Sequence, residues 1–114
     1  YRDMARPQAA LYVGGMGAKD KNFYNQIFRK YGYEQEAEEI QNLFLSGRKD
    51  QAEAAIPKSF IDATSLVGPA SFVRDQLQMY KDAGVTCLNA NFVGTTTAER
   101  VKHCDALRNL VEKI

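Results

Sequence analysis

The sequence predicts an α/β fold of which this chain carries only a part, on three observations. The last third is patterned as helix, strand and helix, which is the order of a β/α unit. Residues 85–91 (VTCLNAN) are the one convincing strand in 114 residues, and the remainder is predominantly helical. A lone strand leaves its backbone hydrogen bonds unmade, so a β/α unit belongs in a larger parallel sheet or barrel. We therefore expect either a longer parent protein or assembly with further copies of the chain.

The composition is that of a globular cytoplasmic protein. Hydrophobic residues make up 45% of the chain and charged residues 25%. The net charge of +1 gives no electrostatic reason to expect nucleic acid or an anionic membrane as partner. No apolar run approaches the roughly 20 residues that a membrane helix needs. No signal peptide is visible, and because Tyr1 is not an initiator methionine we expect a trimmed start. Cys87 and Cys104 are expected to be free, buried thiols in a reducing compartment.

The first seventeen residues are ambiguous. Residues 9–13 form a short apolar run that fits a buried strand or the end of a helix, and periodicity does not separate the two over five residues. Residues 14–17 (GGMG) are expected to form a flexible turn.

Residues 21–55 are expected to form a helical block of three pieces with tight glycine joints. Asp20 is the expected cap of a helix over 21–31. A second helix is expected over 34–45, with apolar residues on one face and acidic residues on the opposite face. A short helical pattern follows over 48–55. A further helical turn is expected within 59–65.

The sequence pattern of residues 69–114 predicts a final unit of helix, strand and helix. Pro69 suits the first position of a helix that runs to residue 83, where Gly84 stops it. Thr96 and Glu99 have the spacing of a capping box at the start of a helix over 97–114. Its expected buried stripe consists of Val101, Cys104, Leu107, Leu110, Val111 and Ile114.

Two segments are candidates for ligand binding. The first is the glycine-rich segment Gly14, Gly15, Met16 and Gly17, whose backbone could approach a phosphate or a flavin ring closely. The segment lacks the GxGxxG spacing, and a tight turn before a helix is the alternative interpretation. Asn89 and Asn91 lie at the end of the predicted strand, where ligands bind in parallel sheets and barrels.

Each candidate has a structural alternative. Asparagines after a strand also cap loops, and glycine with proline at 68–69 is an ordinary helix start. His103, the sole histidine, is expected on the surface, so no catalytic triad or metal set can be assembled.

The ordered strings resemble the luciferase-like monooxygenases, in particular the deazaflavin (coenzyme F-420) dependent oxidoreductases. The resemblance covers residues 6–92. It rests on YVGGMG with NFYN, the helix GYEQEAEEI, the segment AEAAIP, and VGP followed by AGVT, all in the family's order.

The resemblance implies that residues 1–114 are the C-terminal portion of a (β/α)8 TIM barrel. It implies a strand at 85–91 that closes the barrel, and it favours a helical end for the segment at 9–13. Coenzyme F-420, or alternatively FMN, would be the cofactor of the parent. A lining role falls on Gly14, Gly15, Met16, Gly17, Asn22, Phe23, Asn89 and Asn91.

Three functions are left open. The parent is a flavin- or deazaflavin-dependent oxidoreductase that transfers a hydride, with this piece inactive alone and its partners the remainder of the barrel and a small-molecule substrate. Alternatively, the piece is a non-enzymatic helical fragment that forms a homo-oligomer through its uncovered apolar stripes. The third function is a small α/β binding module.

Overall fold

The regular structure of the chain is entirely helical. The computed structural model describes all 114 residues. Seven α-helices follow one another along the chain: α1 (Arg6–Ala10), α2 (Phe23–Lys30), α3 (Glu34–Leu45), α4 (Lys49–Ala54), α5 (Lys58–Thr64), α6 (Ala70–Asp82) and α7 (Thr97–Val111). A 3-10 turn, Arg2–Ala5, precedes α1, and a π-helical turn, Leu11–Gly15, continues it. The chain divides into an N-terminal unit, Arg2–Ser65, and a C-terminal unit, which is Tyr1 with Leu66–Ile114.

The N-terminal unit has a continuous hydrophobic core built by α1 to α5 and the π-helical turn. Its buried members are Ala10, Val13, Phe28, Ala37, Ile40, Ala52, Ile56 and Ile61. Within this core Phe28 stacks on Tyr33 and meets Phe60 edge to face, with ring centroids 4.9 and 4.7 Å apart. Helix α3 has the bounds that its apolar periodicity predicts, and the ambiguous segment at 9–13 is helical, as the family resemblance favoured.

Helix α2 begins two residues later than predicted, and its cap is Asn22 instead of Asp20. Asn22 has an extended backbone and its side chain accepts a hydrogen bond from the Asn25 amide. Asp20 has a φ of 71°, in the left-handed region, and it lies in the turn that precedes α2. The prediction of Asp20 was wrong because a capping side chain must reach the second or third amide of the helix, and Asn22 is the residue with that spacing.

The predicted strand at 85–91 does not form. Residues 85–92 have no regular structure, and 85–91 are all exposed. No hydrogen bond within the chain involves the backbone of residues 86–92. The prediction of a strand fails because a strand is defined by its pairing, and this chain supplies no second strand with which the segment could pair.

The C-terminal unit buries little apolar surface. Helices α6 and α7 contact each other, and Val73 and Leu77 of α6 are buried. No residue of α7 is buried, so the prediction of a buried stripe along this helix was wrong. A helix buries its apolar stripe only where a partner element covers it. Cys87 and Cys104 are both free, as expected, but they are exposed, so the expectation that they are buried was wrong.

Candidate functional site

The predicted site residues fall in different units, and each group has its own geometry. Gly14 and Gly15 lie in the π-helical turn of the N-terminal unit, against helix α3. A Cβ atom on Gly14 would lie 2.6 Å from the Cβ of Phe44 and 3.2 Å from the carbonyl oxygen of Ile40. A Cβ atom on Gly15 would overlap the Phe44 ring. Internal packing therefore explains why both positions are glycine.

Asn22 is a buried structural side chain, only 1% exposed. Its amide nitrogen donates to the carbonyl oxygens of Tyr12 and Val13, at 2.9 and 3.1 Å, and its amide oxygen accepts from the Asn25 amide at 3.0 Å. Both polar atoms of its side chain are therefore used within the unit. Asn22 thus joins the end of the π-helical turn to the start of α2.

Asn25 belongs to the same network and was missed in the sequence. Its amide nitrogen donates to the carbonyl oxygens of Val13 and Ala37, both at 2.9 Å, and its amide oxygen accepts from Nε of Arg29. The asparagine pair in the NFYN string is the signal that could have found it. An asparagine facing the core at helical spacing must find partners for both amide atoms.

The surface members of the first group are Met16, Gly17 and Phe23. Met16 is 45% exposed and Phe23 is 64% exposed. Gly17 has a φ of 144°, a conformation that favours glycine, and a Cβ atom there would lie 2.9 Å from the carbonyl oxygen of Lys21. These three residues are the ones of this group that present atoms to a molecule outside the unit.

A cavity of about 300 Å³ opens in the N-terminal unit, and none of the predicted site residues lines it. Its walls carry no charged side chain. The lining consists of Ala5, Gln8, Ala9, Tyr12, Val13, Tyr24, Ile27, Phe28, Tyr31, Phe60, Ile61, Thr64 and Ser65.

In the C-terminal unit, Asn91 lines an open cleft of about 420 Å³ beside the start of α7. The other lining residues are Ala90, Phe92, Thr97, Arg100, Val101 and Cys104. Asn89 does not line this cleft. The side chains of Asn89 and Asn91 are exposed and make no hydrogen bond within the chain, so their amides are free to contact a ligand. The cleft combines a cation, a free amide and a thiol with apolar walls.

Side chains of α7 form hydrogen bonds with the residues that directly precede this helix in the sequence. The predicted capping box is present, because the Thr96 side chain accepts from the Glu99 amide and the Glu99 carboxylate accepts from the Thr96 amide. The Glu99 carboxylate also accepts from the hydroxyl and the amide of Thr95, at 2.9 and 2.7 Å. These bonds lower the pKa of Glu99, the Thr95 hydroxyl contributing most.

His103, which was expected on the surface, is partly exposed and forms a hydrogen bond with the backbone that precedes α7. Its Nδ1 lies 2.7 Å from the carbonyl oxygen of Val93, and the Tyr1 ring meets it edge to face at 4.9 Å between centroids. A carbonyl oxygen only accepts, so Nδ1 carries the proton. Histidine at this place binds the backbone, a role that sequence spacing alone did not reveal.

No group of three or more His, Cys, Asp or Glu side chains is arranged to hold a metal ion. None of the helices is both long enough and apolar enough to cross a membrane.

Comparison with known proteins identifies the family. The family model described as luciferase-like monooxygenase matches residues 1–87. The chain therefore belongs to the luciferase-like monooxygenase family, whose fold is a TIM barrel.

A curated relative from Mycobacterium tuberculosis is 41% identical over 102 residues. Its name describes it as a "putative coenzyme F420-dependent oxidoreductase". The match covers 90% of this chain but only 28% of the relative, so the chain spans less than a third of that protein's length. No solved structure matches the chain.

The residues present fit a deazaflavin or flavin cofactor only in part. Both polar side-chain atoms of Asn22 form hydrogen bonds within the N-terminal unit, and Gly14 and Gly15 pack against Phe44. Asn91 and Arg100 do line an open cleft. Within the N-terminal unit, this chain therefore holds no complete cofactor cradle.

Proposed function

We propose that the chain is the C-terminal part of a (β/α)8-barrel oxidoreductase that transfers a hydride with coenzyme F-420. The observation that carries the proposal is the family match over residues 1–87, together with the name of the relative that is 41% identical. FMN is the alternative cofactor. In either case the bound cofactor supplies the hydride chemistry, and the protein binds it, orients it and excludes water.

The unpaired segment at 85–91 is the proposed closing strand of this barrel. Its seven residues are exposed, and no hydrogen bond within the chain involves the backbone of residues 86–92. A neighbouring parallel strand requires free backbone donors and acceptors of this kind. The proposed partner of this chain is accordingly the remainder of the barrel, encoded elsewhere in the parent protein.

The proposed contacts to cofactor or substrate are the exposed members of the predicted set. They are Met16, Gly17 and Phe23 in the N-terminal unit, and Asn89 and Asn91 in the C-terminal unit. An asparagine amide both donates and accepts hydrogen bonds, so Asn91 could bind the neutral polar edge of a ligand ring. Arg100 lines the same cleft. Gly14, Gly15 and Asn22 are proposed to act only within the N-terminal unit, where their packing and hydrogen bonds hold the turn that carries Met16 and Gly17 against α2 and α3.

Titration of the full-length parent with coenzyme F-420, and separately with FMN, tests the proposal by the change in cofactor fluorescence. We expect saturable binding of coenzyme F-420 and weaker binding of FMN. The 114-residue chain is the matched control, and we expect it to bind neither, since most of the barrel is missing. Failure of the full-length protein to bind either cofactor would overturn the proposal.

Self-association of the isolated chain is a second candidate. Val85, Leu88, Val101 and Val111 are 41–54% exposed in the C-terminal unit, and apolar surface of this kind favours assembly. Sedimentation of the chain at tens of micromolar distinguishes the states. A well-behaved monomer would rule out the homo-oligomer. A free-standing α/β binding module has no support, because the chain forms no sheet.

A further inference from the structure

Three side chains at the start of α7 hold consecutive backbone groups of the segment that precedes it. Nδ1 of His103 donates to the carbonyl oxygen of Val93 at 2.7 Å. Nη1 of Arg100 donates to the carbonyl oxygen of Gly94 at 3.2 Å. The Glu99 carboxylate then accepts from the Thr95 amide at 2.7 Å. One face of one helix thus fixes three successive residues.

Two of these bonds exceed what a helix start requires. The capping box satisfies the free amides of the first turn through Thr96 and Glu99. The carbonyl oxygens of Val93 and Gly94 lie outside the helix, and helix formation does not need their hydrogen bonds. Arg100 and His103 bind these carbonyls nonetheless, which orders a segment that would otherwise be free.

The backbone at Gly94 shows how closely residues 93–95 pack against α7. Gly94 has a φ of 158°, and a Cβ atom there would lie 2.9 Å from Cβ of Glu99 and 3.3 Å from Cγ of Arg100. Glycine permits this approach because it lacks the Cβ atom. The segment at 93–95 therefore lies directly on the first turn of the helix and is bonded to it at each residue.

We infer that Arg100 and His103 are positioning residues, which fix the segment at 93–95 and so direct Asn91 and Phe92 into the cleft beside α7. The inference rests on the proposed function, because it assigns the cleft to the ligand-binding end of the barrel. In a β/α barrel the loops that follow the strands form the site, and a fixed loop lowers the cost of ordering it when a ligand binds.

The variant His103→Leu in the full-length protein tests the inference through the dissociation constant for coenzyme F-420. One net hydrogen bond corresponds to an expected weakening of about 3- to 10-fold. His103→Asn places an amide donor near the position of Nδ1, and we expect it to restore most of the affinity. Lys102→Leu is the matched control, since Lys102 is exposed and makes no hydrogen bond or ion pair, and its affinity should equal that of the wild type.

Amide hydrogen exchange of the 114-residue chain gives a readout that does not depend on a cofactor. The Thr95 amide should exchange about 3- to 10-fold faster in His103→Leu and in Arg100→Met, and at nearly the wild-type rate in His103→Asn and Lys102→Leu. Arg100→Met keeps the aliphatic stem, so it tests the same segment if His103→Leu fails to fold.

The outcomes separate this inference from the proposed function. If the wild-type protein binds neither cofactor, the proposed function fails, and the exchange rates still decide whether α7 orders the segment. Unchanged exchange in both His103→Leu and Arg100→Met would overturn the inference. So would the failure of His103→Asn to restore the affinity and the exchange rate, since His103 would then act only by packing against Tyr1.

Discussion

The two units of this chain differ in how much of their own apolar surface they cover. The N-terminal unit buries Phe28, Ile40, Ile56 and Ile61 to within 1% exposure or less. The C-terminal unit buries only Val73 and Leu77, and its longest helix, α7, buries nothing. Each unit has at least one amphipathic helix, such as α2 and α6, and each has one helix with a side-chain cap, α2 and α7. The difference lies in the partners that each element has.

This difference shows that a helix and a strand depend on partners for different reasons. A helix needs a neighbour to cover its apolar face, whereas a strand needs a second strand for its backbone hydrogen bonds. Every backbone hydrogen bond of a helix interior is made within the helix, so α1 to α5 need only cover one another's apolar faces. The segment at 85–91 needs another strand before it makes any ladder hydrogen bond. Under the proposed function, a neighbouring strand in the parent protein would pair with this segment and would give α7 a surface on which its apolar residues could pack.

The largest expected effect is the loss of a core side chain from the N-terminal unit. Phe28→Ala should lower its free energy of unfolding by about 3–5 kcal/mol, because it removes a buried ring packed between Tyr33 and Phe60. Phe23→Ala on the same helix is the control, since Phe23 is 64% exposed, and we expect a change within about 0.5 kcal/mol. Urea unfolding followed by circular dichroism measures both. Equal effects would contradict the closed core.

The next effect is expected at Asn22. Asn22→Ala removes the cap of α2 and takes a donor from the part-buried Tyr12 carbonyl and from the buried Val13 carbonyl, which together cost about 2–3 kcal/mol. Asn109→Ala is a matched control, because Asn109 is exposed on α7 and makes no hydrogen bond, and its stability should not fall. The same urea unfolding measurement applies. A variant that keeps full stability but loses cofactor affinity in the full-length protein would instead make Asn22 a ligand contact.

A smaller effect, of about 1–3 kcal/mol, is expected for Gly14→Ala. Its new methyl group meets the Phe44 Cβ atom and the Ile40 carbonyl oxygen, neither of which can move without the backbone of α3. Gly15→Ala meets only the ring of Phe44, which can rotate, so it should cost less. Thermal unfolding of the two variants gives the comparison. A stabilising Gly14→Ala would indicate that close packing does not explain this glycine.

The features that could be predicted from the sequence are those with local causes. The bounds of α3 follow from its apolar periodicity, and the capping box at Thr96 and Glu99 follows from two side chains three residues apart. The family was recognised from strings in a fixed order, and the family model confirms it.

The features that could not be predicted depend on contacts between distant residues. The strand at 85–91 was inferred from composition, while its formation depends on a partner strand that this chain lacks. The NFYN string draws attention to Asn25, but it does not identify the partners, because the Val13 and Ala37 carbonyls each lie 12 residues away in the sequence. His103 likewise has its partner, Val93, ten residues away. The role of each side chain depends on which distant part of the backbone the fold brings next to it, and local sequence patterns do not contain this information.

The smallest expected effect is a pH dependence at the start of α7. The Thr95 hydroxyl, followed by the amides of Thr95 and Thr96, lowers the pKa of Glu99 below its ordinary value of 4.5, although desolvation opposes this change. The folded state therefore favours the ionised carboxylate. The stabilisation is fully present above pH 4.5 and is lost as the pH falls through the lowered value of the folded state.

Glu99→Gln isolates this effect, because glutamine keeps an acceptor oxygen but does not titrate in this range. Asp3 in the N-terminal unit also has a lowered pKa, through its hydrogen bond from Arg6, and its contribution cancels in the comparison of the two proteins. The melting temperature of the wild type should exceed that of the variant at neutral pH, and the two should converge as the solution is acidified below pH 4.5. A difference that stays constant with pH would mean that the Glu99 carboxylate does not hold the segment before α7 by its charge.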